Sequence, residues 1–250
     1  MTVGQDEALL RNIAFTYGVL DSGAGRRWEI DDDLSLADGG VDFHFVTNMA
    51  VVLRSLPARA IADRARAFFG GRPFTIWAMW PLPELAELGF ELQKPLSALR
   101  REAPHISPRP PSGLEIREAT DERSLDLFER TIKDAYGFSD AVRSLRPGAF
   151  FPPGALGNPG VRFWIGHAAG RAVGTAITSV SDGVVGVYGV ATLPDARRHG
   201  YGAALTWAAL AARPELPGVL QTSPLGRPVY EAMGFRDVAA FVRWRSIGQR

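Results

Sequence analysis

The sequence predicts an α+β protein: a mixed sheet with helices on its faces. Two observations predict it. In the second half, runs that read as antiparallel hairpins come first and a strand–helix–strand crossover follows. A strand, helix, strand order also recurs in the first half, ahead of a proline-rich break.

The bulk properties narrow the function classes. Hydrophobic residues make up 46% of the 250 and charged residues 22%, which is globular rather than disordered composition. The chain is long enough for one large domain or two small ones. A formal net charge of +1 gives no reason to expect a nucleic-acid or membrane-surface partner. The absence of cysteine excludes disulfides, thiolate metal sites and a covalent cysteine intermediate, and no metal is expected. The opening "MTVGQDEALLRN" lacks a basic segment followed by an apolar one, and no run approaches the ~18 apolar residues of a membrane span. A cytoplasmic protein is the expectation, as a monomer or a homodimer.

The elements follow in order. "FVTNMAVVLRS" (45–55) reads as a strand, "ARAIADRARAFFG" (58–70) as a helix and "RPFTIWAMW" (72–80) as a strand. "LPELAELGFELQKPL" (82–96) reads as a short helix running into a strand. "EAPHISPRPPSG" (102–113) holds four prolines and little apolar content, so it is expected to be extended and irregular. This divides the chain into an N-terminal domain (1–104), a linker (105–113) and a C-terminal domain (114–250).

Beyond the linker "LEIREA" (114–119) alternates like a strand. "DERSLDLFERTIKDAYG" (121–137) places Leu125, Phe128 and Ile132 at helical spacing behind Asp121 as N-cap. "VRFWIGHAA" and "RAVGTAITSV" form a hairpin at Gly170, and "GVVGVYGVATL" (183–193) is a third strand. "GYGAALTWAALAAR" is helical and stopped by Pro214. "GVLQTS" is a short buried strand, "GRPVYEAMGF" a short helix ending at Gly234, and "DVAAFVRWRS" a last strand. "LAELGF" (85–90) echoes "YEAMGF" (230–235), and the strand, helix, strand order around both suggests a duplication.

The chemistry concentrates at "ARRHGYGAAL" (196–205). A dinucleotide fingerprint fails there: Leu205 stands where a third small residue belongs, and no acidic residue follows at the right distance. A Walker loop fails for want of Gly-Lys-Ser/Thr. A tight turn with glycines for steric reasons stays open. So does an anion site, because the first amides of a helix have no intrahelical acceptors and their dipoles attract negative charge.

The form Arg/Gln-x-x-Gly-x-Gly/Ala, filled by Arg197, Gly200 and Gly202 and followed by Tyr-x-x-x-Gly-Phe at Tyr230, resembles the GNAT family of acyl-CoA N-acyltransferases over residues 114–245. The first half is similar only in its late elements and lacks the turn, as in tandem GNAT proteins with a degenerate copy. The resemblance implies a GNAT-like fold in two halves and acetyl-CoA as co-substrate. It implies that the backbone of Val190, Ala191 and Thr192 pairs with the pantetheine arm. Arg197, Arg198, His199, Gly200, Tyr201, Gly202 and Ala203 then form the pyrophosphate cradle, and a backbone N–H, that of Val190, serves the oxyanion.

Tyr230 matches the family's tyrosine acid, since a phenol titrating near ~10 stays protonated and can serve a thiolate of pKa ~8–9; a groove-lining tyrosine is the other reading. No carboxylate or histidine stands on 183–193; Tyr188 is a poor base, and His167, His199, Asp134 and Asp140 are the nearby titratable groups. Phe150, Phe151 and Leu156 in "RPGAFFPPGALGNPG" (146–160) are expected along the acceptor groove. Leu85 stands where Tyr230 stands, so the first half is expected to be noncatalytic. The activity implied is acetyl transfer to a primary amine of a small molecule or peptide by direct attack in a ternary complex. A noncatalytic acyl-CoA-binding module and a protein acetyltransferase are the alternatives.

Overall fold

The computed structural model describes residues 3–247 except 22, 24 and 44–46. The N-terminal half holds helix α1 (Val3–Leu20), strands β1 (Arg27–Ile30), β2 (Leu34–Asp38) and β3 (Met49–Val52), helix α2 (Ala58–Phe69), β4 (Thr75–Ala78) and the long β5 (Phe90–Arg101). The C-terminal half begins with β6 (Leu114–Ala119), α3 (Glu122–Tyr136), the short α4 (Asp140–Arg143), β7 (Val161–Ala168), β8 (Arg171–Ser181) and β9 (Val184–Thr192). It ends with α5 (Tyr201–Leu210), β10 (Gly218–Thr222), α6 (Arg227–Ala232) and β11 (Arg236–Ser246). This is the expected α+β architecture, in two halves.

Local chemistry explains the C-terminal elements. Asp121 caps α3 by accepting the Ser124 N–H at 2.7 Å, and Ser124 returns the contact to the Asp121 N–H, a capping box. The helix stops at Gly137, which takes the left-handed conformation with φ of 65°. Two-residue turns with positive φ, Ala169–Gly170 and Asp182–Gly183, join β7 to β8 and β8 to β9. Alternate residues then face different cores: Tyr188 joins the core under α1 and α3, while Val187 joins that under α5 and α6.

Among the described residues one sheet runs through both halves in the order β1-β2-β3-β4-β11-β5-β10-β9-β8-β7-β6. The last strands of the two halves change places. β5, from the first half, lies against β10 of the second, and β11, from the second, lies against β4 of the first. The exchanged strands also pair with each other along their lengths, from Arg236 opposite Arg100 to Ser246 opposite Phe90. Ala98 and Leu99 of β5 are fully buried on opposite faces, so the centre of the sheet is covered on both sides.

Helix α1 has no counterpart among the sequence expectations. Its buried surface mixes Leu9, Leu10 and Ile13 with Asn12 and Thr16, both fully buried, so no clean apolar stripe stands out. These polar groups tie the halves together. Asn12 Nδ2 donates to Ser179 O and Ser181 Oγ, each at 3.0 Å, and Thr16 Oγ1 donates to Ser179 Oγ at 2.7 Å. β2 was equally hard to read because all five of its residues are buried. The strand expected over 45–55 is β3, four residues long; positions 45–46 lie outside the described residues.

Candidate active site

β9 ends at Thr192, a single 3-10 turn covers Pro194–Ala196, and α5 begins at Tyr201. The turn reverses through two left-handed residues, Arg198 (φ 66°) and Gly200 (φ 76°). The first intrahelical bond is Ala204 N–H to Gly200 C=O at 3.0 Å, which leaves the amides of Tyr201, Gly202 and Ala203 without intrahelical acceptors.

The two glycines of the turn differ in what the protein asks of them. Gly200 needs its positive φ, and a Cβ there would stand 3.4 Å from Pro111 Cγ. Gly202 has no positive φ, and a Cβ would make only ordinary contacts, 3.5 Å from Thr192 Oγ1 and 3.9 Å from Val190 Cγ1. Nothing inside the chain requires glycine at 202, although glycine in a helix costs about 1 kcal/mol relative to alanine. An alanine would fit the folded chain.

The arginines also divide. Arg197 turns back into the fold, with Nε donating to Thr192 O at 3.2 Å and Nη2 to Ala135 O at 3.1 Å. It pins the turn to the end of α3. Arg198 is exposed and has no hydrogen-bond or ion-pair partner among the described residues. His199 stacks on Tyr201 with ring centroids 5.4 Å apart.

Beside the turn the sheet opens. β9 and β10 are parallel but paired only at Val185–Gly218 and Gly186–Val219. From Val187 to Thr192, β9 is paired on its β8 side alone. That pairing carries a bulge, in which Gly189 and Val190 oppose the single residue Ala176. Gly189 takes φ of 55°, and its carbonyl accepts from Thr175 Oγ1 at 2.8 Å. Val190, Ala191 and Thr192 therefore lie on the opened stretch, next to the free amides of α5.

Tyr230, on α6, is 9% exposed and packs edge-on against Phe235. Burial pushes its phenol well above the ordinary range, the field of Tyr136 adds to the push, and a hydrogen bond with Thr206 opposes it. Thr206 in turn donates to Gly202 O at 2.9 Å, so a short polar chain joins Tyr230 to the glycine turn. Thr206 was missed from sequence; its signal was the spacing of four from Gly202 on a helix. Tyr136, at the end of α3, was also missed; it is 41% exposed, and its field reaches Tyr230.

The candidate bases do not gather here. Tyr188 is buried, its hydroxyl donates to Asn12 Oδ1 at 2.5 Å, and burial holds it protonated. His167 sits near the β7–β8 turn, and Asp140 pairs with Arg143. Phe150 and Phe151 do not line a groove: at 1% and 3% exposure they belong to the core, where Phe151 meets Phe128 and Phe163. The buried Glu129 holds them by accepting both of their amides, and Lys133 Nζ neutralises it at 2.7 Å. Leu156 is half-buried. Among the described residues no cluster of three His, Asp or Glu side chains suits a metal ion.

Comparison with known proteins bears on this geometry. Residues 159–237 match the acetyltransferase (GNAT) domain. A mycothiol acetyltransferase of Geodermatophilus obscurus is 28% identical over 216 residues, 75% of this chain and 68% of the relative. The fold follows that of a GCN5-related N-acetyltransferase from Kribbella flavida, with a TM-score of 0.68, 22% identity and 96% of each chain covered. It also follows that of a tandem GNAT protein from the clavulanic acid biosynthesis pathway, with a TM-score of 0.55, 14% identity, and 98% of this chain and 96% of that one covered.

Proposed function

We propose that the protein is an acetyltransferase of the GNAT family, whose domain residues 159–237 match, and that its C-terminal half transfers an acetyl group from acetyl-CoA to a primary amine by direct attack in a ternary complex. The observation that carries this reading is Gly202. Its backbone conformation and its surroundings would accept a Cβ. A residue with little or no side chain makes sense there if a ligand approaches the amides of Tyr201, Gly202 and Ala203. An anion is the ligand those amides suit, since the helix dipole adds to their free N–H groups.

The residues take these roles. The amides from Arg198 to Ala203 hold a pyrophosphate, with the exposed guanidinium of Arg198 beside them. The opened edge of β9 at Val190, Ala191 and Thr192 offers backbone groups to an extended pantetheine arm. Acetyl-CoA, when bound, supplies an activated thioester carbonyl. Val190 N–H, at the bulge, donates to the oxygen that becomes negative as the amine attacks. Tyr230, kept protonated by burial, gives its proton to the departing thiolate. No side-chain base is assigned: the amine attacks in its neutral form, and the proton its nitrogen sheds as the amide forms leaves through water, which reprotonates Tyr230. The N-terminal half supports the fold and is noncatalytic.

The test is calorimetric titration of acetyl-CoA into the wild type and Gly202→Glu. The expected result is binding by the wild type that is lost in the variant, whose side chain and negative charge block the amides. Equal binding in both proteins would remove the reason given for the glycine. Amines are then screened for release of the CoA thiol, beginning with an acceptor related to mycothiol, after the name of the 28% relative.

A further inference from the structure

Residues 105–113 form a strap along α5. His105 N–H donates to Pro214 O at 3.0 Å near the end of the helix, and Ser107 Oγ donates to Trp207 O at 3.3 Å. Pro111 reaches Gly200 at the start of the helix. The strap thus runs opposite to the helix and arrives at the glycine turn.

Between strap and helix lies a cavity of about 580 Å³, within the ~300–1,000 Å³ usual for small-molecule sites. Gly200 and Ala203 line it, and both belong to the cradle. It continues along α5 past Ala204, Trp207 and Ala208, where methyl side chains leave room beside one large aromatic plate. Arg109 of the strap also lines it, and its guanidinium has no hydrogen-bond or ion-pair partner among the described residues.

We infer that this slot takes the 3′-phosphoadenosine end of coenzyme A, its base against Trp207 and its 3′-phosphate paired with Arg109. The inference rests on the reading of the turn as a pyrophosphate cradle. Three features select this occupant. The slot opens at the cradle, where the nucleotide end of the coenzyme must leave the pyrophosphate. Its walls are alanine, proline and tryptophan, the surroundings a flat base stacks against. A free guanidinium then meets a phosphate with two negative charges, the pairing for which its fork is shaped. The strap that joins the halves thereby becomes a wall of the coenzyme site.

The experiment measures dissociation constants of CoA and 3′-dephospho-CoA by calorimetry on the wild type, Arg109→Ala and Ala208→Trp. The wild type is expected to bind CoA about tenfold more tightly than dephospho-CoA. Arg109→Ala should abolish that difference by weakening CoA alone. Ala208→Trp should fill the slot and weaken both ligands about tenfold with the melting temperature held. Tight CoA binding with no preference for the 3′-phosphate, or unchanged binding in either variant, overturns the inference and leaves the cradle standing. A wild type that binds neither ligand overturns the cradle itself, and this inference with it.

Discussion

The two halves of the sheet hold the same pair of parallel strands in different states. In the second half β9 and β10 share two residue pairs and then part, although β9 is nine residues long. In the first half β3 and β4 share three pairs over strands of four residues, and nothing opens. The following turns differ in the same sense. β9 leads through Gly200 and Gly202 into α5, whereas β3 leads through Ser55, Leu56 and Pro57 into α2, whose N-cap offers no side-chain bond and no glycine. Tyr230 stands on α6 where Leu85, fully buried, stands in the first half. On the proposed function, one architecture serves two ends: closed, with an apolar plug, it gives a supporting wall; opened, with bare amides and a phenol, it gives room for a ligand.

The largest expected effects attack that contrast directly. Gly202→Glu places a carboxylate among amides read as holding two phosphates, and acetyl-CoA affinity should fall by about a thousandfold. Arg59→Glu makes the matching change in the first turn of α2 and should leave affinity within twofold. If both variants lose binding alike, the halves do not differ as described. Leu85→Ala reverses the test: it should cost about 2–5 kcal/mol of stability by opening a cavity in the N-terminal core, with CoA affinity unchanged in chemical denaturation and titration experiments.

Much of this contrast was legible in the sequence. The glycines, the tyrosine and the absence of both from the first half could be read directly, because a turn and a short helix are local features. The echo of "LAELGF" in "YEAMGF" marked corresponding entries to β5 and β11. The exchange of those two strands was not legible. A strand's sequence records which face is buried but not which backbone lies beside it, and β5 and β11 have similar neighbours to choose from. α1 was hidden for a different reason, since its buried Asn12 and Thr16 look like surface residues until Ser179 and Tyr188 are seen opposite them. The aromatic pair Phe150–Phe151 was misplaced because Glu129, which draws its loop into the core, stands 21 and 22 residues away.

Tyr230→Phe sharpens the comparison on the chemical side. If the phenol donates a proton, kcat for CoA-thiol release should fall about a hundredfold, while the dissociation constant for acetyl-CoA changes less than twofold. The raised titration of Tyr230 also means that the wild type should show no alkaline loss of kcat attributable to it below about pH 10. A kcat preserved in the phenylalanine variant would reduce Tyr230 to a groove wall, the counterpart of Leu85 in role as well as in place.

The smallest effect concerns how the closed half supports the open one. Arg26 reaches from the first half to Gly148 O at 2.7 Å and Ala149 O at 2.8 Å, fixing the loop that ends in Phe150 and Phe151. Its own partner is Asp21, at 3.2 Å and fully buried, with Oδ2 unpartnered among the described residues. Burial raises the Asp21 carboxyl from 3.8 to about 7, although Arg26 pulls it down. Between those values the folded protein holds a proton that the unfolded chain has released, so stability falls as pH rises from about 4 to 7. Asp21→Asn has no proton to lose there. The melting temperature of the wild type should therefore decline relative to that of the variant between pH 5 and pH 8, by several degrees. A wild type that gains on the variant over that range would show Arg26 to outweigh burial, and the support to be a strong ion pair rather than a strained one.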